Sequence, residues 1–205
     1  MVRPRFARLP PEQQQAIVGA AADEFAAHGF HDASLNRIID AAGISKGSMY
    51  YYFDGKADLY AHVLRLEMEQ LLRSDEGAAI PPDADADAFW AVLAAYYLRL
   101  MRALSASPRL AALIRGWLGA AANPSLQQAQ REMERSFGPW LDQMLATGQR
   151  VGAVRTDLPS ELLLAVAMGM GQAMDTWLIT QPPDDQSLPE ITGIFIGMIR
   201  GAVQP

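Results

Sequence analysis

The sequence predicts an all-α protein. Apolar residues recur at helical spacing in one stretch after another, prolines and glycines separate these stretches, and none alternates convincingly like a strand. The chain has 205 residues, of which 50% are hydrophobic, so it is long enough to bury a core in one large or two small domains. We therefore expect a protein built from packed helices.

Composition excludes several kinds of site. The chain has no cysteine, and its three histidines, His28, His31 and His62, are scattered, so we expect neither disulfides nor a metal site, and no cofactor. The net charge of −6 argues against a protein that coats nucleic acid by bulk electrostatics. Local contact with DNA stays open, because the only two lysines, Lys46 and Lys56, flank one aromatic cluster.

The first ten residues carry Arg3, Arg5 and Arg8 and are followed by a polar stretch rather than an apolar one. This pattern is not that of a signal peptide and fits a cytoplasmic protein. We expect residues 1–10 to form a mobile basic arm, which would reach the minor groove or a flanking phosphate.

A first amphipathic helix is predicted between Pro11 and His28, with Ile17, Ala21 and Phe25 on its apolar face. The following glycine is typical of a helix end.

Two further helices follow at the spacing of a helix-turn-helix motif. Ser34 is a good N-cap for the second helix and Gly43 a good terminator, and Ser45 can cap the third. Met49 and Phe53 lie four residues apart and predict the buried face of this short third helix. The order helix, glycine turn and second helix is the one through which many proteins touch DNA.

Three tyrosines in succession, at positions 50–52, occupy the third helix. Successive positions of a helix point about 100 degrees apart, so all three side chains cannot face inward. We expect at least one exposed tyrosine with a hydroxyl available to a phosphate.

The remainder of the chain predicts a connecting helix, a loop at 74–87 and five more helices. The connecting helix runs from Lys56 to Arg73 and is long enough to leave the first domain and enter a second. We therefore divide the chain into residues 1–10, 11–58 and 59–205. The later helices are predicted at about 86–105, 109–122, 125–150, 160–180 and 188–203.

The C-terminal half is rich in aromatic and methionine side chains, which can line an adaptable apolar pocket or simply fill a core. Asp175 interrupts an apolar helix, where it would serve as a ligand anchor, a buried ion-pair partner or an exposed residue. The candidate pocket residues are Tyr96, Tyr97, Met101, Trp117, Trp140, Met144, Met168, Asp175 and Trp177. The same helix is long enough to raise the question of a membrane span, but Gln172 and Asp175 favour a buried or interface helix and no membrane partner.

The chain resembles the TetR-like (TetR/AcrR) transcriptional regulators over about residues 12–60. The match consists of residues at fixed spacing: 22–25, Gly29-Phe30, Ser34-Leu35, 38–43, Ile44-Ser45-Lys46-Gly47-Ser48-Met49-Tyr50-Tyr51-Tyr52-Phe53, Lys56 and Leu59. The resemblance implies an all-helical homodimer with a small DNA-binding domain and a larger domain for ligand binding and dimerisation.

Carried over by position, the resemblance implies that Ser48 and Tyr51 lie near base edges. Asn36 and Arg37 would lie at the edge of the groove. Backbone contacts would come from Ser34, Lys46, Tyr50, Tyr52 and Lys56. Many relatives have histidine where this chain has Tyr52, so packing is an alternative role for that residue.

The last two helices are apolar on several faces and must be covered on more than one side. In the resembling family they form a four-helix dimer interface, which implies Leu163, Ala167, Met170, Met174, Ile191, Ile194, Phe195 and Met198 here. We therefore predict a homodimeric repressor that binds a palindromic double-stranded DNA operator and is released by a small, largely apolar effector. The alternatives are a constitutive DNA-binding dimer without an effector and, from another class, an enzyme.

Overall fold

The computed structural model describes residues 4–73, 78–119 and 123–205, and every regular element in these ranges is helical. The predicted all-α class is confirmed. Parts of the predicted loop at 74–87 and of the predicted helix at 109–122 lie outside the described residues. A short 3-10 helix, Phe6–Arg8, precedes α1 (Pro11–Asp32), α2 (Leu35–Ala42), α3 (Lys46–Tyr52), α4 (Lys56–Arg73), α5 (Ala86–Ser105), α6 (Pro108–Gly119), α7 (Pro124–Arg150), α8 (Ser160–Thr180) and α9 (Leu188–Val203).

The chain forms two compact units. The first contains residues 1–70 and 107–134, and the second contains residues 71–106 and 135–205. The packing thus adds α6 to the N-terminal helices, which the sequence pattern did not indicate. The functional division that we placed at residue 58 stays a prediction.

The first unit is built around α1, which packs against α2 and α6. Ile17, Ala21 and Phe25 are buried as the spacing predicted. Gly29 leaves helical geometry, with φ 67°, where the sequence predicted that the regular helix ends, and a short helical segment beyond this kink continues to Asp32. This kink brings Phe30 into the core, where it is 6% exposed.

The helix-turn-helix forms through the caps that the sequence indicated. The Ser34 hydroxyl accepts a hydrogen bond from the Arg37 amide at 3.4 Å, and the Ser45 hydroxyl accepts one from the Ser48 amide at 3.0 Å. Gly43 ends α2 with φ 65°, a left-handed conformation that costs glycine little.

The second unit is held by α9, which packs against α5 and α8. Its core joins residues from α5, the segment before α8, α8 itself and the end of α9: Phe89, Trp90, Ala153, Val154, Leu163 and Val203. The loop ahead of α5 ends at Asp85, whose carboxylate accepts from the Ala88 amide at 2.8 Å. This capping bond fixes the start of α5 where the sequence predicted it.

Candidate nucleic-acid interface and effector site

The recognition helix α3 has one buried and one exposed face. Met49 and Phe53 are each 1% exposed, whereas Tyr50 is 47% and Tyr51 is 48% exposed. Tyr52 is half-buried. The prediction that at least one tyrosine points outward is confirmed, because burial of Met49 and Phe53 turns the neighbouring positions toward solvent.

Polar groups accompany the exposed tyrosines. Lys46 at the first position of α3 is exposed, and the structure describes no partner for its ammonium group. The hydroxyl of half-buried Ser48 lies 2.9 Å from that of Ser45, beside the helix N-terminus. Asn36 is exposed on α2. These groups can donate hydrogen bonds to phosphates or bases.

Arg37 is hydrogen-bonded to other residues of the first unit. Its guanidinium donates to both carboxylate oxygens of Glu24, at 2.5–3.0 Å, and to the backbone carbonyl of Asp32 at 3.0 Å. Glu24 also accepts from the Ser34 amide at 2.7 Å, and these hydrogen bonds from Arg37 and Ser34 hold the pKa of Glu24 below its usual value. Arg37 therefore has a structural role that joins α1 to α2, and its DNA contact stays a prediction.

Lys56 also has partners within the protein. Its Nζ donates to the carbonyls of His31 and Ala33, at 2.9 and 3.1 Å, and lies 5.0 Å from the centroid of the Phe30 ring. A lysine at the first position of α4 is unfavourable for the dipole of that helix, so its position alone indicates no stabilising role. The structure corrects this view, because the ammonium group satisfies carbonyls at the end of α1. Its phosphate contact stays a prediction.

The predicted mobile arm is wrong for residues 4–10; Arg3 lies outside the described residues. Residues 6–8 form a 3-10 helix, and Phe6 is 3% exposed. Its ring packs against those of Tyr52, Phe53 and His62. An apolar ring between basic residues is the signal that could have predicted this anchor. The same contact gives Tyr52 a packing role.

Comparison with known proteins agrees with this geometry. Residues 17–63 match the family model described as bacterial regulatory proteins, tetR family. Over these residues the chain is similar to the TetR-like transcriptional regulators. The chain is 43% identical over 58 residues to the HTH-type transcriptional regulator RutR of Escherichia coli, a match covering 28% of this chain and 27% of RutR. It is 29% identical over 180 residues to the HTH-type transcriptional repressor SCO4008 of Streptomyces coelicolor, covering 86% of this chain and 83% of the repressor.

The fold has solved counterparts. The transcriptional regulator FadR from Bacillus subtilis superimposes with a TM-score of 0.70 at 22% identity, covering 93% of this chain and 99% of FadR. This likeness extends over both units of this chain and concerns the fold alone.

In the second unit, two predicted effector residues come together. The Tyr97 hydroxyl donates a hydrogen bond to the carboxylate of Asp175 at 2.5 Å. Burial raises the pKa of both groups, and the charge of Asp175 raises that of Tyr97 further. A half-buried carboxylate on an apolar helix with one described partner is costly, and such groups cluster at binding sites.

Other predicted pocket residues lie elsewhere. Trp117 belongs to the first unit, where it is 9% exposed and stacks on Tyr60 with ring centroids 6.0 Å apart. Trp140, Met168 and Trp177 are 39–43% exposed in the protomer, and the Trp140 ring lies beside that of Tyr96 with centroids 6.2 Å apart. The pocket role of these three residues stays a prediction.

The remaining pocket candidates, Tyr96, Met101 and Met144, are half-buried. Met144 lines a cavity of about 430 Å³ together with residues 78–80, Gln143, Ala146, Thr147 and Arg150. The lining was not predicted, because the sequence does not show that residues 78–80 lie beside α7.

The predicted dimer residues divide between core and surface. Leu163 and Met174 are 2% and 6% exposed and face the core of their own unit, which corrects their assignment. Ile194 and Met198 are 55% and 52% exposed. The other four, Ala167, Met170, Ile191 and Phe195, are half-buried.

Helix α8 carries an exposed apolar stripe that was not predicted from the sequence. Leu162, Val166 and Trp177 lie on one face of the helix and are 48%, 39% and 40% exposed. Because α8 is apolar on several faces, its pattern could not show which face the protomer leaves open. By length and composition α8 could cross a membrane, and 22% of its most apolar window is buried in the protomer.

Proposed function

We propose that the protein is a cytoplasmic, homodimeric repressor that binds a palindromic operator through α3 and releases it when a small effector binds the second unit. The observation that carries this proposal is the division of α3 between a buried face, Met49 and Phe53, and an exposed face with Lys46, Tyr50 and Tyr51. A short helix presented in this way fits the major groove.

The distribution of charge supports this role. The chain has a net charge of −6, so its affinity for DNA must come from a few placed cations rather than from the whole surface. Exposed Lys46 supplies such a cation at the start of α3. One helix of seven residues contacts few bases, and a second copy of the chain would double the contact and explain a palindromic site.

The exposed stripes of α8 and α9 support the dimer. Leu162, Val166 and Trp177 on α8 and Ile194 and Met198 on α9 expose large apolar side chains to solvent. Contiguous apolar surface of this kind typically marks an interface between proteins. Pairing the two helices with their copies would cover it.

The Tyr97–Asp175 pair supports control by an effector. A half-buried carboxylate costs stability, and a polar group of the effector that bonds to it would compensate that cost. The FadR structure from Bacillus subtilis holds stearoyl-CoA, a ligand with a long apolar acyl chain, which supports an effector with an apolar part here. SCO4008, which aligns with 86% of this chain, is a repressor, and we propose that this protein also represses transcription.

Selection of DNA from a random library by the wild-type protein, followed by fluorescence anisotropy with the selected duplex, tests the proposal. We expect a palindromic sequence, and we expect Lys46→Ala and Tyr50→Ala each to bind it about tenfold more weakly, as the loss of a charge-assisted or phosphate contact would produce. Arg102→Ala, which removes an exposed cation of the second unit, is the matched control and should bind normally. Unchanged binding by both α3 variants would refute the assignment of α3.

A further inference from the structure

The N-terminal segment is fixed to the first unit at two points. The Phe6 ring centroid lies 4.9 Å from that of Phe53 and 5.1 Å from that of His62, both of which are buried. Further along, the Gln14 side chain donates a hydrogen bond to the carbonyl of Leu9 at 2.8 Å. The segment therefore has one defined path across the protein.

This path places Arg5 on the recognition helix. The guanidinium carbon of Arg5 lies 4.4 Å from the centroid of the Tyr51 ring, within the range of a cation–π contact. Tyr51 in turn contacts Tyr52 edge to face, with ring centroids 5.5 Å apart, and Tyr52 contacts Phe6 at 6.1 Å. Arg5, Tyr51, Tyr52 and Phe6 thus form a continuous cluster, which we call the arm cluster.

We infer that the arm cluster is part of the DNA-contacting surface: Arg5 binds a backbone phosphate beside the bases that α3 contacts, and Phe6 positions Arg5 for that bond. The inference rests on the proposed function and adds to it a contact from outside the helix-turn-helix. A guanidinium that stacks on a ring by its flat face keeps its N–H edge available, and that edge matches the oxygens of a phosphate. Arg5 is exposed, and the structure describes no carboxylate paired with it.

The same segment contains a matched control. Arg8 is also exposed and lies three residues from Arg5, but the described structure shows no ring beneath it. If the segment acted only as a loose cationic tail, Arg5 and Arg8 would contribute alike. If the arm cluster positions one cation, Arg5 alone will contribute.

The test measures the affinity of the full-length protein for its selected duplex at several salt concentrations. Each phosphate contact adds about 0.9 to the slope of log K against log salt concentration. We expect Arg5→Ala to weaken binding roughly tenfold and to lower this slope by about one. Arg8→Ala should match the wild type in both. A normal slope for Arg5→Ala, or equal losses for the two arginine variants, would overturn the inference.

The role of Phe6 has its own readout. Phe6→Ala should lower the salt slope by about one, as Arg5→Ala does, and the double variant should lose no further slope, because both changes remove the same contact. Phe6→Leu keeps an apolar anchor and should retain the wild-type slope. A normal slope for Phe6→Ala, or a further loss in the double variant, would refute the positioning role.

Failure of the inference can be told from failure of the proposed function. Weak binding by Lys46→Ala together with normal binding by Arg5→Ala would refute the arm cluster alone. If the wild type selected no DNA, the proposed function and the inference would both be wrong.

Discussion

The hydroxyl of Tyr60 on α4 donates a hydrogen bond to the backbone carbonyl of Leu113 on α6 at 2.5 Å. Both residues are 0% exposed. The Tyr60 ring packs edge to face on Phe25 of α1, with centroids 4.6 Å apart, so one side chain joins three helices of the first unit. Burial raises the pKa of this phenol, which therefore remains a donor at ordinary pH.

We predict that Tyr60→Phe lowers the free energy of unfolding by about 1–2 kcal/mol. The variant keeps the ring contacts and leaves the Leu113 carbonyl without its tyrosine donor, which is the cost of an unmade buried hydrogen bond. Urea unfolding followed by circular dichroism measures the change. An unchanged midpoint would show that water replaces the hydroxyl.

The contact with Tyr60 is predicted to leave no room for a side chain in place of Gly116 on α6. A Cβ atom at Gly116 would lie 2.5 Å from the Tyr60 hydroxyl oxygen, closer than two such atoms can approach. Gly116→Ala should therefore destabilise the protein despite the better helix propensity of alanine. Adding Tyr60→Phe removes the clashing atom, so in a double-mutant cycle the paired change should cost less than the sum of the single changes. Additive losses would contradict the proposed clash.

His62 is predicted to make stability depend on pH. Burial and, to a smaller extent, the charge of Arg65 lower its pKa to about 4, from 6.5. On acidification the unfolded chain therefore binds a proton at His62 before the folded chain does. The contribution of His62 to stability is present above the unfolded pKa and is lost as pH falls toward the folded pKa. Between neutral pH and about pH 5 the loss should be about 2 kcal/mol.

The measurement for His62 is urea unfolding of the wild type and His62→Gln at both pH values. The variant should lose less stability on acidification, whatever its stability at neutral pH. Equal losses would place the titrating group elsewhere.

Ile194→Asp is predicted to dissociate the proposed dimer. Ile194 is 55% exposed in the protomer, so an aspartate is tolerated there by the single chain but would be a buried, unpaired charge in a dimer. Size-exclusion chromatography with light scattering should show a mass near 22.4 kDa for the variant and twice that for the wild type. Tyr50→Ala on the exposed face of α3 is the control and should remain dimeric. A wild type of 22.4 kDa would refute the proposed dimer.

Asp175→Asn is predicted to weaken effector binding without loss of stability at neutral pH. Because the pKa of Asp175 is raised, its contribution to stability is present at pH below the usual aspartate pKa. This contribution declines as the pH rises through the raised pKa. Asparagine removes the buried charge and keeps an acceptor for Tyr97.

Thermal unfolding of Asp175→Asn at neutral pH should therefore give an equal or higher midpoint than the wild type. Tyr97→Phe, which leaves the carboxylate without its donor, should give a lower one. A midpoint for Asp175→Asn below that of the wild type would contradict the assignment.

Much of the first unit could be predicted from the sequence because its signals are local. Ser34, Gly43 and Ser45 define helix ends through bonds to residues no more than four positions away, and the spacing of Met49 and Phe53 defines the buried face of α3. A side chain that caps its own helix needs no distant partner, so its residue type and position suffice. The family resemblance was carried by this same local stretch.

Contacts between distant segments could not be predicted in the same way. The partners of Lys56 lie 23 and 25 residues earlier in the chain, and Tyr60 meets Leu113 across 53 residues. Nothing in the pattern of α4 indicates that its lysine will bond to carbonyls rather than remain exposed. The cluster of Arg5 and Phe6 with α3 is of the same kind.

The sequence by itself thus determined the helices, their caps and the buried face of α3, because these depend on the few neighbouring positions of one helix. Tertiary structure decided which cations bond to groups of the protein, as Arg37 and Lys56 do, and which face of α8 remains open. Those outcomes depend on which surfaces meet when helices pack. A helix that is apolar on several faces, or a cation near a helix end, is compatible with more than one such packing.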